Sequence, residues 1–193
     1  MEFFNFFVEK IGTFTNNKNH KKTILLFSFS YYLLMILILR ICFLTDLGFF
    51  THDSALFQSQ AIEYANVLNN EGLGSLLNRI QHNGYQLPTV FTCVVYFLFG
   101  PHEIYLIMFN IFIKSLSVYF LYSLFFKVTE QKLISFLAVS PFLFFPTEFG
   151  SIALINKAVF FSLGIILVFS SFVRKGKMQK IIALFFAFLV FFS

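Results

Sequence analysis

The residues that could carry chemistry are concentrated in one stretch of the chain, residues 45–86. This is the only polar region of domain-like length in a sequence of 193 residues. Carboxylates and imidazoles are the side chains that most often move protons as general acids and bases, and the stretch contains several. Its ionisable residues are Asp46, His52, Asp53, Glu63, Glu71, Arg79 and His82.

Three basic residues outside this stretch lie within or beside long apolar runs. Lys114 is at the middle of its run, where a charge is by default a candidate functional group. Arg40 and Lys157 are near the ends of theirs. Arg40 and Lys157 each either pair with a lipid phosphate or extend their charged end to the lipid headgroups from an otherwise apolar run.

The composition excludes several classes of protein. Apolar residue types make up 58% of the chain and charged types 12%, whereas soluble domains average about 45–50% and about 25%. A soluble single domain and a disordered chain are therefore excluded. Cys42 and Cys93 are too few for a disulfide framework, and the sequence has no Cys–His metal cluster, Walker motif or Rossmann glycine motif. The sequence predicts an all-α fold, a multi-pass transmembrane helical protein.

The apolar runs differ in whether they can cross a membrane. Thr23–Leu44 and Ile104–Phe126 are long enough for a core of about 30 Å at about 1.5 Å per residue. Ala158–Val173 crosses marginally, and Leu133–Phe145 needs extra length from residues 146–151. Leu87–Phe99 has 13 residues, too few to cross unaided.

Basic residues beside these runs predict the orientation. By the positive-inside rule the N-terminus and two later turns should be cytoplasmic. This requires that Leu87–Phe99 does not cross, so that residues 45–103 form an outer loop and the turn around Glu148 also faces outward. The basic residues concerned are Lys18, His20, Lys21, Lys22, Lys127, Lys132, Arg174, Lys175, Lys177 and Lys180.

Short amphipathic surface helices are expected in the first outer loop. One begins with Asp53 or Ser54 as its N-cap, ends at Gly72 and lies on the membrane surface. Its apolar positions recur at helical spacing, and they are Phe57, Ala61, Tyr64, Ala65 and Leu68.

The order of these elements, and the residues within them, resembles the N-terminal half of the GT-C glycosyltransferases. In that family the first outer loop has an acidic residue, then an aromatic residue four positions later and a small residue after four more. Asp53, Phe57 and Ala61 match this pattern, although Ser54 stands where a second acid is usual. A proline-containing apolar segment that ends in an aromatic residue and glycine follows, as it does in residues 82–100.

The resemblance continues into the later runs. The family's next span often contains Asn and ends with Tyr before a basic turn, and the span after it ends near proline. Two positions depart from the family: Ile107 replaces a basic residue, and Ile155, Asn156 and Lys157 stand where an acid is often found. The matching residues are Asn110, Tyr119, Tyr122, Lys127, Pro141 and Pro146.

The resemblance implies transfer of a sugar from a polyprenyl-phosphate donor to an envelope glycan, lipid or protein acceptor at the outer membrane face. Asp53 would be the general base or a ligand of a divalent metal, the one candidate cofactor. Glu148 is either a second carboxylate or a solvated turn residue. The donor phosphate would pair with Lys157 or Arg40. The residues that either line the same cavity or are simply polar surface are His52, His82 and Tyr85.

The predicted organisation is a cytoplasmic N-terminus, residues 1–22, followed by a single transmembrane domain, residues 23–193. Because the last run, Ile181–Phe192, is cut short, we expect further transmembrane segments from a longer chain or a partner subunit, and this chain is either part of an enzyme or an inactive fragment. The abundance of Phe, Lys, Asn and Ile suggests a bacterial protein of the cytoplasmic membrane. The expected partners are membrane lipid and a polyprenyl-phosphate-linked sugar, not nucleic acid.

Two other functions fit the same sequence. The chain could be a non-catalytic membrane subunit or transporter component, although transporters usually carry their polar residues at the midplane in broken helices. It could also be part of an envelope polysaccharide polymerase, which has polar outer loops as well.

Overall fold

The computed structural model describes residues 19–43, 52–83, 87–145, 152, 157–173, 176–178, 180–181 and 184–185. Across these residues the regular structure is α-helical and contains no strand, in agreement with the predicted all-α fold. The helices are α1 His20–Phe43, α2 His52–Asn70, α3 Leu73–Asn83, α4 Leu87–Phe99, α5 Glu103–Thr129, α6 Lys132–Phe144 and α7 Lys157–Val173.

Two of the described helices are long and apolar enough to cross a membrane, His20–Leu39 within α1 and Glu103–Thr129, which is α5. The shorter apolar helices are Pro88–Phe99, Lys132–Phe144 and Val159–Val173. At about 1.5 Å per residue, α5 is about 40 Å long and α6 about 20 Å. Length and composition therefore separate α1 and α5 from the other apolar helices.

The ends of α5 and α6 follow from local chemistry. Glu130 adopts a left-handed conformation with φ 57°, and its backbone N–H donates to the Phe126 carbonyl, which closes the last turn of α5. α6 ends at Phe144 because Phe145 is extended and precedes Pro146, and a proline disfavours the helical conformation of the residue before it. The extra length predicted from residues 146–151 lies outside the described residues.

α5 is the central helix, and α1, α4, α6 and α7 all pack against it. His20 Nδ1 and Tyr122 Oη share a hydrogen bond of 2.9 Å, so the start of α1 lies beside the C-terminal part of α5 and the two helices run antiparallel. α7 runs parallel to α5, because Phe160 packs near Phe109 at one end and Lys127 Nζ donates to the Val173 carbonyl at the other, at 3.3 Å.

One end of this bundle therefore collects basic residues, and we call it the basic end. Lys21 Nζ lies 5.6 Å from the centre of the Phe126 ring, and Lys132 is close enough to His20 to act on its charge. Lys127 reaches the last residue of α7 at this end. The start of α5, at Glu103, and the start of α7 lie at the opposite end.

Helices α2, α3 and α4 form a separate layer, the polar layer, at that opposite end. α2 packs on both α3 and α4, and α4 packs on α5. Ala61 of α2 and Tyr96 of α4 share one apolar cluster with Leu106, which is in the first turn of α5. The polar stretch of the sequence is thus folded against the end of the bundle that is distant from the basic end.

Two predictions about α2 need correction and one is confirmed. The helix begins at His52, so Asp53 lies in its first turn and is not its N-cap; a carboxylate there is still favoured by the helix dipole. The apolar face predicted to lie on the membrane is covered by protein, since Ala61 and Tyr64 are buried where α2 packs on α4. Gly72 ends α2 as predicted, with φ +87°.

Candidate functional site

The structure places Asp53 and His52 at the start of α2, by their backbone; their side chains lie outside what it describes. The Gln58 side chain lies close to the Tyr96 hydroxyl. The N-terminal part of α2 is therefore beside the C-terminal part of α4. Asp53 is about one and a half turns before Gln58, and Tyr96 also lies near Glu103, so this part of α2 is near the start of α5.

Arg40 and Lys157 lie at the same end of the bundle as Glu103. Arg40 is in the last turn of α1 and Lys157 is the first residue of α7. Because α1 runs antiparallel to α5 and α7 parallel to it, both positions are far from the basic end. Their side chains are also outside what the structure describes, so their pairing with a phosphate stays a prediction.

The remaining predicted site residues are less well defined. His82 is in the last turn of α3, and its side chain is exposed to solvent. Tyr85 and Glu148 lie outside the described residues. The structure therefore assigns Asp53, Arg40 and Lys157 to one end of the bundle by their backbone, and the predicted contacts of Glu148 and Tyr85 with that region are not tested.

The structure reveals a buried polar stripe on α4 that the sequence analysis missed. Its members follow helical spacing along the inner side of α4, where α2 packs. Among the described residues, Thr89 Oγ1 and Tyr96 Oη are buried without a hydrogen bond of standard geometry. The members of the stripe are Thr89, Thr92, Cys93 and Tyr96. Their spacing of three, four and seven residues is the signal in the sequence that could have identified them.

Tyr96 is the member of this stripe with the most informative surroundings. Burial raises the pKa of its hydroxyl above the ordinary value, the Glu103 carboxylate raises it further, and the Gln58 side chain offsets part of the rise. Gln58 is thus a polar neighbour, although the two groups do not form a hydrogen bond of standard geometry. The hydroxyl stays protonated at neutral pH, so it can donate a hydrogen bond beside the N-terminal part of α2.

Asn110 connects α5 to the segment that precedes α7. Its Nδ2 donates to the Ile152 carbonyl at 2.9 Å, and both residues are buried. Asn110 lies about 10 Å along α5 from Glu103, which is the depth at which Phe160 of α7 packs on Phe109. A side-chain amide therefore satisfies a backbone carbonyl inside the apolar part of the bundle.

Lys114 is deeply buried one turn further along α5, and it makes an interaction within the chain. Its side chain points into the bundle and not outward. This agrees with the rule that ionisable residues of apolar spans face the interior. Lys114 lies closer to the middle of α5 than to Glu103, so it is set apart from the start of α2.

The described residues contain no group of three or more His, Cys, Asp and Glu side chains that could hold a metal ion. The side chains of Asp53 and Glu148 are not among those residues, so the divalent metal stays a prediction. Comparison of the chain with protein-family models, curated proteins and solved structures gives no match. The likeness to GT-C glycosyltransferases therefore depends on the residues and their arrangement.

Proposed function

We propose that the chain is a multi-pass protein of the bacterial cytoplasmic membrane, with its basic end in the cytoplasm. The helices outside the polar layer expose many large apolar side chains, and soluble monomers rarely expose extended apolar patches. Basic residues at one end of a bundle match the positive-inside rule. The exposed apolar residues of α1, α5 and α7 include Leu26, Leu34, Leu37, Ile41, Phe112, Phe161, Phe169 and Phe172.

In this proposal α1, α5, α6 and α7 cross the membrane and α4 does not. α4 is about 20 Å long and belongs to the polar layer, where α2 packs on it. α6 has the same length, and the residues that follow it supply the remaining distance. Beyond α6, the Asn110 side chain holds the Ile152 carbonyl inside the bundle by a hydrogen bond of 2.9 Å.

For the activity, we propose a GT-C-type glycosyltransferase, or its N-terminal part, that uses a polyprenyl-phosphate sugar at the outer membrane face. One observation carries this proposal: the helix that starts with His52 and Asp53 packs on α4 at the end of the bundle opposite the basic end. In the proposed orientation Asp53 is thus at the outer face, where a lipid-linked sugar and its acceptor would meet.

Residues that match the family pattern also have distinct structural positions, which supports the proposal. Ala61, the small residue of the first-loop pattern, is fully buried in the apolar cluster of the polar layer. Gly100 follows α4 with φ +91°, a conformation that favours glycine. Asn110 makes the buried hydrogen bond to Ile152. These three matching residues therefore have defined structural roles.

The proposed reaction needs a base near the attacking group. The oxygen or nitrogen of the acceptor forms a bond to the anomeric carbon of the sugar. The bond between that carbon and the phosphate oxygen breaks, and its electron pair leaves with the polyprenyl phosphate. Asp53 takes the proton of the acceptor, and the Tyr96 hydroxyl is a neutral hydrogen-bond donor in the same layer. Lys157 or Arg40 would stabilise the charge on the departing phosphate.

The test is sugar transfer by membranes that contain wild-type chain or Asp53→Asn, offered a panel of radiolabelled polyprenyl-phosphate sugars. Asn keeps the shape of the side chain and loses its basicity. We expect unchanged expression and a fall in transfer of about 100-fold or more, the usual scale of general-base help. Glu71→Gln removes an exposed carboxylate of the same layer and is the matched control, with wild-type activity expected.

Two results would contradict the proposal at different levels. Wild-type turnover in Asp53→Asn would remove Asp53 from the site. Absence of transfer by the wild-type chain from every donor, in membranes where it is correctly inserted, would contradict an active transferase and leave an inactive N-terminal part or a non-catalytic subunit.

A further inference from the structure

A cavity of about 440 Å³ opens at the basic end, between α1, α5 and α7. This volume is within the range of small-molecule sites. It lies at the end of the bundle opposite Asp53, so the proposed sugar transfer does not use it. Its polar and aromatic lining residues are Lys21, Tyr119, Phe120, Ser123, Lys127 and Ser170.

Among the described residues that line this cavity, two carry a positive charge and none carries a negative charge. Lys127 Nζ donates to the Val173 carbonyl at 3.3 Å, which uses one of the three N–H donors of a lysine ammonium. Lys21 Nζ lies over the Phe126 ring at 5.6 Å. The two lysines come from different helices and line one cavity.

Ser170 of α7 also lines the cavity, and a serine hydroxyl can donate one hydrogen bond. The lining therefore combines two lysines with a hydroxyl from a third helix.

We propose that this cavity binds a phosphate group, that of an anionic membrane lipid. Phosphate oxygens accept strong hydrogen bonds from lysine ammonium and serine hydroxyl groups. Basic pockets between transmembrane helices at the cytoplasmic side are a known kind of site for lipid headgroups. The inference uses the membrane placement of the bundle and is independent of glycosyl transfer.

The surface around the cavity favours a lipid over a free phosphate ion. Phe169 and Phe172 of α7 are 58% and 74% exposed, and they flank Ser170 and Val173 in the sequence. Leu26 of α1 is 67% exposed, little more than one turn from Lys21. A lipid whose phosphate enters the cavity would find apolar surface for its acyl chains beside the entrance.

The experiment is equilibrium binding to the delipidated full-length chain in mild detergent, with phosphatidylglycerol, phosphatidylcholine or inorganic phosphate as the probe. We expect saturable binding of one phosphatidylglycerol and at least tenfold weaker binding of the other two. The variant K21Q/K127Q should weaken phosphatidylglycerol binding about tenfold or more, from the usual strength of hydrogen bonds to charged groups.

K22Q/K177Q is the matched control. This variant also removes two positive charges, but from exposed positions that do not line the cavity, so it should bind phosphatidylglycerol like wild type. Equal loss of binding in both double variants would indicate diffuse attraction and overturn the site. Inorganic phosphate binding as tightly as phosphatidylglycerol would assign the site to the free ion and overturn the lipid assignment.

A second measurement uses the unmodified chain, so its result does not depend on whether the variants fold. Amine acetylation is followed at each lysine by mass spectrometry, with and without phosphatidylglycerol. The proposal predicts that the lipid slows acetylation of Lys21 and Lys127 and leaves Lys22 and Lys177 unchanged. Unchanged rates at Lys21 and Lys127 under saturating lipid would refute it.

Discussion

Asn110→Leu offers a sharp test of how the segment before α7 is held in the bundle. The substitution keeps a side chain of similar size in a position where Asn110 is 2% exposed. It removes the Nδ2 donor that reaches the Ile152 carbonyl at 2.9 Å. Packing is thus largely preserved, while one buried hydrogen bond is lost.

The size of the effect follows from the environment of the two groups. A buried carbonyl that loses its donor without gaining water costs about 1–3 kcal/mol. Ile152 is fully buried, so water does not replace the amide without local opening. Asn110 also makes a further interaction within the chain, which is lost as well. We therefore expect the free energy of unfolding to fall by about 1–3 kcal/mol.

The assay is reversible unfolding of the purified chain in mixed micelles, by titration with a denaturing detergent and helicity as the signal. Asn66→Leu is the matched control, because Asn66 is an exposed asparagine on α2. Surface substitutions usually change stability by less than about 0.5 kcal/mol. We expect Asn110→Leu to lose clearly more stability than Asn66→Leu.

A difference in stability smaller than about 0.5 kcal/mol between the two variants would contradict this prediction. It would mean that the Asn110 amide does not hold Ile152, or that the carbonyl readily finds another donor. In either case the segment after α6 would not be fixed to α5 at this depth.

Two further predictions concern the polar layer. Gly74→Ala should leave stability unchanged or raise it by up to about 1 kcal/mol, since Gly74 is inside α3 and an added Cβ meets no atom within 4 Å. Gly100→Ala should lower stability by about 1 kcal/mol or more, because Gly100 has φ +91° and alanine is strained there. The same detergent titration compares the two variants. Burial raises the pKa of the Cys93 thiol to about 11, so at pH 7.5 its thiolate fraction and alkylation rate should be on the order of 100-fold below those of an exposed cysteine. The alkylation rate of Cys93 should rise with pH up to pH 10 as the thiolate fraction grows. Mass spectrometry at pH 7.5 and pH 10 measures this rate beside that of a cysteine introduced at Asn78. Equal rates at the two positions would contradict the buried placement of Cys93.

The helices themselves could largely be predicted from the sequence. The uninterrupted apolar run Ile104–Phe126 corresponds to α5, Glu103–Thr129, because length and composition suffice for such a helix. Leu87–Phe99 was predicted with the boundaries that α4 has, since proline and glycine limit it on both sides. Gly72 was predicted as the end of α2 for the same kind of local reason.

Packing between elements could not be predicted in the same way. The apolar face of α2 looks the same in sequence whether a membrane or another helix covers it, and in the structure α4 covers Ala61 and Tyr64. Gly74 has a low helix propensity, yet it lies in the first turn of α3, since the packing of α3 on α2 outweighs a weak local preference.

The candidate site could be predicted only at the level of its region. The polar stretch and Asp53 were found from residue types, and the backbone of Asp53 is at the end of the bundle opposite the basic end. The buried stripe that includes Thr89 and Tyr96 was missed, because hydroxyl residues within an apolar run are usually taken as part of the span. Only the packing of α2 on α4 distinguishes that face.

We propose that the polar layer, with Asp53, faces outward while the basic end is cytoplasmic. Labelling of single cysteines with an impermeant maleimide in spheroplasts tests it, in a background with Cys42 and Cys93 replaced by alanine. The positions are Asn78 in α3, Gln131 before α6, and Gly176, all of them exposed. We expect Asn78→Cys to label from outside, and Gln131→Cys and Gly176→Cys to label only after permeabilisation. Labelling of Gln131→Cys from outside would contradict it.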